Sequence, residues 1–281
     1  MNRIREFFEL EKIKQTGRNI RIAILDTGIF LHRDIENSVI FYKDFISDTN
    51  NPTDENGHGT HIAGIISGSG LACNHKYMGI ATEADLLMLK VLDKNGNGKT
   101  IDFIRALKWV LENKEKFNIK LLNFSVGFIG RSNLYDRKMI LDLINKIWDA
   151  GITVVTAAGN NGPKSNTITV PGISRKVITV GALNENFSGC GPTECCIIKP
   201  EILAPGSNIT SLKNKKDEYI SKTGTSMATP IVCAALALAL EKNNELRPID
   251  LKLALYNTVD DMPDDTICWG KLNICKLINY I

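Results

Sequence analysis

Apolar residues in this chain alternate between short continuous runs and longer stretches with a helical pattern. The continuous runs are 20–25, 86–92, 121–127, 152–162 and 177–183. The fourth of them, 152–162, ends in a turn. Such runs are typical of strands that are buried on both faces. The stretches at about 101–117 and 134–150 predict helices. Strands that alternate with helices of this length predict a three-layer α/β fold, with a mainly parallel central sheet and helices on both faces.

The two ends of the chain follow a different pattern. Residues 1–18 predict a short amphipathic helix with Ile4, Phe7 and Phe8 on its apolar side. After about residue 189 the pattern changes to short strand-like pieces such as 219–222, then to a helix that starts near Ser226 and a last helix after Pro248. Because no repeat, low-complexity run or Pro/Ser-rich linker interrupts the chain, we expect a single domain over 1–281.

Composition narrows the class of partner. The chain has 281 residues, 43% of them hydrophobic, and a formal net charge of +3. This charge is too small to indicate binding to nucleic acid or to an anionic membrane. The N-terminus is charged throughout, and the longest apolar run, 231–240, is too short to span a bilayer. We therefore expect a cytoplasmic protein.

The cysteines fit that location. Seven cysteines, an odd number without an export signal, indicate reduced thiols. Cys190, Cys195 and Cys196 lie close together and invite a metal-site interpretation. No histidine is nearby and no paired C-x-x-C spacing is present, so the sequence predicts no metal there.

Three side chains at the ends of predicted elements have the chemistry of a nucleophilic serine. Asp26 ends a predicted strand, His58 starts a helix, and Ser226 starts another after Gly224. A serine attacks, an imidazole takes its proton, and a carboxylate orients the imidazole. Each has a simpler alternative, since Asp26 could cap a turn and Ser226 could cap its helix. The sequence H-G-T-H lacks the acidic residue of H-E-x-x-H, so zinc is not predicted and His61 is assigned as a buried, hydrogen-bonded residue.

Four motifs in the order Asp, His, oxyanion residue and Ser resemble those of the subtilisin-like serine proteases, the subtilase family. They are ILDTG, NGHGTHIAG, AAGNNG and GTSMATP, and the resemblance extends from about residue 17 to 273. The order differs from the Ser, Asp/Glu, His order of α/β-hydrolases. Intervening segments such as KPEILAPGSNI are most similar to the intracellular members of the family.

The resemblance implies a serine endopeptidase that forms an acyl-enzyme on Ser226. His58 would be the general base and then acid, Asp26 would orient it, and Asn160 would stabilise the oxyanion together with the Ser226 backbone N–H. The implied substrate-binding residues are Ser125, Val126 and Gly127 on one wall, Gly96, Asn97 and Gly98 on the other, and Ala157 and Gly159 with 169–171 around the pocket for the residue before the scissile bond. A flexible turn is the alternative interpretation of Gly96 and Gly98. With no acid near the pocket, we expect apolar or uncharged side chains there.

Two departures from the family bear on maturation and metal binding. Only about 25 residues precede Asp26, so the chain is either already matured or folds unaided. The loop that holds calcium in many relatives is replaced by SGSGLACNHKYMG. Asp34 matches one calcium ligand, but its partners are not evident, so a structural calcium ion stays an open question. The chemistry itself requires no cofactor.

Other function classes compete with the endopeptidase. The fold could serve as a non-catalytic scaffold that binds peptides, or the same acyl chemistry could serve an esterase. The presence of all four motif residues favours the protease, with a peptide or protein as its partner. A narrower version is a dedicated intracellular processing or leader peptidase, which the compact chain permits. The oligomeric state is not predicted.

Overall fold

The computed structural model describes residues 4–127, 134–193, 196–262 and 268–281. The strands in this part of the chain are β1 Arg21–Asp26, β2 Val39–Asp44, β3 Asp85–Lys90, β4 Ile119–Phe124, β5 Thr153–Ala157, β6 Ile178–Ala182, β7 Ile202–Ala204, β8 Ile209–Leu212, β9 Tyr219–Lys222 and β10 Gly270–Lys271. The α-helices are α1 Ile4–Phe7, α2 His58–Ser67, α3 Thr100–Phe117, α4 Leu134–Asp149, α5 Thr225–Lys242, α6 Pro248–Thr258 and α7 Ile274–Tyr280.

Eight strands form one central sheet in the order β10-β7-β6-β5-β4-β1-β3-β2, and every described pairing in it is parallel. Strands β8 and β9 form a separate antiparallel pair. Along β1, Ile22 and Ile24 pack into the core that contains α2 and α5, whereas Ala23 and Leu25 pack into the core that contains α3 and α4. The sheet therefore has helices on both faces, which confirms the predicted α/β fold.

The largest departures from the predicted elements lie at the edges of the sheet and at the ends of the chain. Strand β2 escaped prediction because only two of its six residues are buried, so it lacks a continuous apolar run. Within residues 4–18 the chain is helical only in α1 and in a 3-10 turn at Leu10–Lys12, which corrects the predicted continuous helix over 1–18. Glu9 has a left-handed backbone with φ of 49°, and this conformation ends the α-helical path.

Parallel pairing collects the carboxyl ends of the central strands at one edge of the sheet. Asp26 ends β1, and the segments after β3, β4 and β5 begin at the same edge. Open α/β sheets place functional groups at this edge. Helix α5, whose residues are mostly buried, packs in the same core as α2. Of the described helices, α5 is the one that is long and apolar enough to cross a membrane, and its apolar side chains are covered by protein.

A charged cluster is buried away from that edge. Glu201 Oε1 accepts hydrogen bonds from Lys199 Nζ at 2.6 Å and from Lys252 Nζ at 2.7 Å, and Glu201 Oε2 accepts the Thr179 N–H. The two lysines and the glutamate are all less than 10% exposed. Burial lowers the pKa of Lys199 to about 8, against the opposing effect of the Glu201 carboxylate. One carboxylate therefore balances two buried ammonium groups.

Candidate active site

The structure brings Asp26 and His58 into contact. Asp26 is fully buried at the end of β1, and its Oδ1 lies 2.7 Å from His58 Nδ1. The Thr27 N–H donates to the same oxygen at 2.7 Å. A carboxylate in this position accepts the Nδ1–H of the ring, which leaves Nε2 able to accept a proton from another group. His58 is the first residue of α2, and its side chain is 22% exposed.

Ser226 lies in the first turn of α5, whose N-cap is Gly224. A Cβ built on Gly224 would lie 3.1 Å from Ser226 Oγ and 3.2 Å from Asn160 Nδ2, and φ at this position is +153°. Only glycine suits such a position, because a side chain would occupy the space between the two polar atoms. Ser226 and His58 line the same cleft, but the structure shows no hydrogen bond between the serine oxygen and the ring. In enzymes without bound substrate this contact is often long.

Asn160 is held by the residue that precedes Ser226. Its Oδ1 accepts hydrogen bonds from the Thr225 N–H and from the Thr225 hydroxyl, both at 3.0 Å. The Gly159 N–H donates in turn to Thr225 Oγ1 at 3.2 Å. The Asn160 amide is thereby oriented, with its NH₂ group on the side of Ser226. An amide donor beside the start of a helix is suited to stabilise an oxygen on which negative charge develops.

The cleft that contains these groups has a volume of about 380 Å³. Its lining includes the predicted residues His58, Gly96, Ser125, Val126, Gly127, Ala157, Gly159, Asn160 and Ser226. Asn97 and Gly98 are outside this lining: Asn97 belongs to a turn closed on Asp93, and Gly98 packs against Phe103. Thr27, Asn56, Leu92, Asn161 and Thr225 line the cleft as well and were not singled out from the sequence. Thr225 could have been, because it directly precedes Ser226.

Comparison with known proteins agrees with this geometry. Residues 17–270 match the subtilase family. The chain belongs to this family. Serine protease AprX of Bacillus subtilis (strain 168) is 38% identical over 89% of this chain and 63% of its own length. The major intracellular serine protease of the same organism is 35% identical over 79% of this chain and 68% of its own length.

Solved structures give the same result. The S41 psychrophilic protease superimposes with a TM-score of 0.81 and 30% identity, covering 91% of this chain and 88% of that one. This chain spans less than two thirds of the length of several curated relatives, AprX among them. The curated relatives include proteins named as intracellular and as extracellular.

In this subtilase Thr169 narrows the cleft where Gly127 and Gly159 line it. A Cβ on Gly127 would lie 2.1 Å from Thr169 Oγ1, and one on Gly159 would lie 2.5 Å from Thr169 Cγ2. The Thr169 side chain therefore lies directly against both glycine walls. Its N–H and its hydroxyl both donate to the Ala158 carbonyl, at 3.0 and 3.3 Å, which fixes its orientation.

The prediction for His61 is confirmed. Its ring is fully buried, and Nε2 lies 3.1 Å from the Ile209 carbonyl and 3.0 Å from the Ile220 carbonyl, so Nε2–H donates to both. Burial, together with a smaller effect of the nearby Lys222 charge, lowers the pKa of His61 to about 3. His61 is thus neutral at ordinary pH and ties α2 to the β8–β9 pair.

The surroundings of Asp34 do not suit a calcium ion. Asp34 is 3% exposed, its Oδ1 accepts the Ala72 N–H at 2.8 Å, and its Oδ2 accepts the Tyr219 hydroxyl at 2.6 Å. Burial and the Asp34 carboxylate both raise the pKa of Tyr219, so the phenol keeps its proton. Both carboxylate oxygens therefore face hydrogen-bond donors, which a cation would have to displace. Within the described ranges, no group of three or more His, Cys, Asp or Glu residues could hold a metal ion.

The cysteine cluster has no role in the cleft lining. Cys190 is partly buried, Cys196 is exposed, and both are free thiols; Cys195 lies outside the described residues. Burial raises the pKa of the Cys190 thiol, which disfavours the reactive thiolate.

Proposed function

We propose that this subtilase is a serine endopeptidase that hydrolyses peptide bonds through an acyl-enzyme on Ser226. The observation that carries the proposal is the 2.7 Å contact between Asp26 and His58 at the edge of a cleft that Ser226 and Asn160 also line. Membership of the subtilase family supports the same chemistry. Subtilases need no cofactor for this reaction.

Ser226, His58, Asp26 and Asn160 each have a separate role in this reaction. Ser226 Oγ attacks the substrate carbonyl carbon while His58 Nε2 accepts the hydroxyl proton, and Asp26 stabilises the imidazolium that forms. The carbonyl oxygen becomes an oxyanion that accepts hydrogen bonds from Asn160 Nδ2 and the Ser226 N–H. His58 then gives its proton to the leaving amine, which breaks the peptide bond and leaves an ester on Ser226. Water, deprotonated by His58, attacks that ester, and the proton returns to Ser226 as the acid product leaves.

The two walls of the cleft suit an extended peptide. The segment Ser125–Gly127 continues from β4, lines the cleft and joins none of the described strands, which suits it to pair with the backbone of a substrate. Gly96 lines the opposite wall in an exposed turn, and Asn56 beside it donates to the Lys94 carbonyl at 3.0 Å. Main-chain hydrogen bonds to both walls would hold a peptide with its scissile bond at Ser226.

We expect a preference for small uncharged residues before the scissile bond, because Thr169 occupies the space between Gly127 and Gly159. Thr169→Gly should raise kcat/KM for phenylalanine relative to alanine at this position at least tenfold, since about 1–3 kcal/mol per methylene is available in an apolar pocket. A series of peptide anilides that differ only at this residue measures the ratio. Thr167→Gly is the matched control, because Thr167 lies in the same segment outside the cleft lining. An unchanged ratio in Thr169→Gly would contradict the proposal.

Two substrates distinguish an endopeptidase from an esterase and from a non-catalytic scaffold. A peptide anilide and a simple ester of the same acyl group should both be hydrolysed, and the anilide reaction should depend on Ser226. Hydrolysis of the ester alone would favour an esterase. Binding of the peptide without turnover would favour a non-catalytic scaffold.

We also propose that the enzyme acts in the cytoplasm as a processing or leader peptidase. A relative named as intracellular and the free thiols at every described cysteine support the location. Fractionation of the native host tests it. A peptide-library profile tests the role, since cleavage at one dominant sequence indicates processing and broad cleavage indicates a degradative enzyme.

Folding should not depend on calcium at Asp34, because its carboxylate is already bound by Tyr219 and Ala72. Adding a chelator should therefore leave the Tm of the wild-type protein unchanged in a calorimetric scan. A calcium ion held at 100 times its Kd would contribute about 2.7 kcal/mol. A chelator-induced fall in Tm of about 5 °C or more, reversed by added calcium, would contradict this expectation.

A further inference from the structure

Asp54, in the loop between β2 and α2, is a buried carboxylate whose two oxygens are both fully used. Asp54 is 6% exposed. Its Oδ1 accepts the Thr27 hydroxyl at 2.8 Å and the Gly57 N–H at 2.7 Å. Its Oδ2 accepts the Thr60 N–H at 2.9 Å and the Thr60 hydroxyl at 2.6 Å. Four donors on one buried carboxylate make a rigid junction, because each hydrogen bond restrains the others.

Two of these partners belong to the start of α2. Gly57 is the N-cap of that helix and has no side chain to accept the free N–H groups of the first turn. Asp54 accepts the N–H of Gly57 and that of Thr60 instead. Its negative charge also lies at the positive end of the helix dipole. Asp54 thus fixes the first turn of α2, where His58 is the first residue.

The third partner belongs to the other element of the site. Thr27 directly follows Asp26, and its hydroxyl donates to Asp54 while accepting the Gly59 N–H at 2.9 Å. Lys90 Nζ holds the Thr27 carbonyl at 2.6 Å from the neighbouring strand β3. The Thr27 hydroxyl therefore links the end of β1 both to Asp54 and to the first turn of α2. Thr27 follows Asp26, and Gly59 follows His58. The junction therefore connects the neighbours of the two residues that make the 2.7 Å contact.

We propose that Asp54 is a positioning residue for the reaction: through Thr27 it fixes the distance and angle at which Asp26 meets His58. This inference rests on the proposed function. Asp54 is absent from the lining of the cleft, so it acts without touching substrate. A misplacement of about 1 Å in a catalytic pair can cost roughly a hundredfold in rate. We expect the effect mainly in kcat, because Thr27 is the one junction partner of Asp54 that lines the cleft, and the walls at Ser125–Gly127 and Gly96 take no part in the Asp54 hydrogen bonds.

The experiment separates positioning from helix capping. Asp54→Asn disturbs both roles, whereas Thr27→Val removes the hydroxyl bridge, with its bonds to Asp54 and to the Gly59 N–H, and leaves the Gly57 and Thr60 bonds to Asp54. We expect Asp54→Asn to lower kcat by about 10- to 100-fold with KM changed less than about twofold, and Thr27→Val to lower kcat about tenfold. Thr27→Ser should recover most of the rate lost in Thr27→Val. In proton NMR, the low-field signal of the His58 Nδ1–H should shift or broaden in Asp54→Asn and Thr27→Val.

Asp44→Asn is the matched control. Asp44 ends β2, is 4% exposed, and accepts the Ile46 and Ser47 N–H groups and the Ser47 hydroxyl in its own loop. It should lose stability with kcat unchanged. Wild-type kcat and an unmoved NMR signal in Thr27→Val would overturn the inference even if Asp54→Asn fails to fold. An inactive wild-type enzyme would overturn the proposed function together with this inference, whereas an active one with unchanged Thr27→Val overturns this inference alone.

Discussion

Replacing Ser226 with alanine is expected to lower kcat for a peptide anilide on the order of a million-fold, a magnitude taken from subtilisin itself rather than from this chain. The alanine side chain has no oxygen to form the acyl-enzyme. Asn160 and the helix N-terminus remain, so a small residual rate above that in water should persist. Steady-state kinetics on active-site-titrated protein measures the change.

A control for Ser226→Ala is available five residues earlier in the chain. Ser221 is an exposed serine in β9 whose hydroxyl pairs with that of Thr210 at 2.7 Å. Ser221→Ala should keep wild-type kcat. A Ser226→Ala protein that folds normally and retains more than a small fraction of the rate would show that another nucleophile does the chemistry.

Glu201→Gln should lower the free energy of unfolding by about 3–5 kcal/mol, the usual cost of removing one partner from a buried ion pair. Lys199 and Lys252 would then be buried together without a countercharge, and each still donates to backbone carbonyls that cannot neutralise it. The NH₂ group of the amide in Glu201→Gln is also a hydrogen-bond donor, and it cannot accept the hydrogen bonds that both lysines donate. Urea unfolding monitored by circular dichroism measures the loss.

Glu218 offers a matched control on the surface. It too pairs with two lysines, Lys213 at 2.6 Å and Lys215, but its side chain is 37% exposed. Water screens this cluster, so Glu218→Gln should cost far less than Glu201→Gln. Equal losses in the two variants would contradict the claim that burial makes the Glu201 cluster critical.

The central strands and the long helices were predictable because their signal is local. Strands β1 and β3 are continuous apolar runs, and both start and end within two residues of the predicted bounds. Strand β2 has polar and exposed positions because it is an edge strand, so its sequence does not differ from that of a loop. Cys195 lies outside the described residues, so the prediction that the cysteine cluster binds no metal stays a prediction.

The candidate site was predictable to the extent that its residues stand in motifs. Asp26, His58, Asn160 and Ser226 belong to four motifs that resemble one family, and the structure places three of them in one cleft above the buried Asp26. The narrowing by Thr169 was not predictable, because it depends on how closely two distant glycine segments approach. The same holds for Asp54, which in the sequence resembles a solvated turn residue. One of its four donors, the Thr27 hydroxyl, comes from a distant segment that only the fold brings next to Asp54.

Covalent trapping of the nucleophile tests the central claim most directly. The folded protein is incubated with a fluorophosphonate, digested, and examined by mass spectrometry for the modified residue. The account predicts one phosphonyl group on Ser226, with no adduct in Ser226→Ala and much slower labelling in His58→Ala. A folded wild-type protein that remains unlabelled, or that carries the group on another residue, would contradict it.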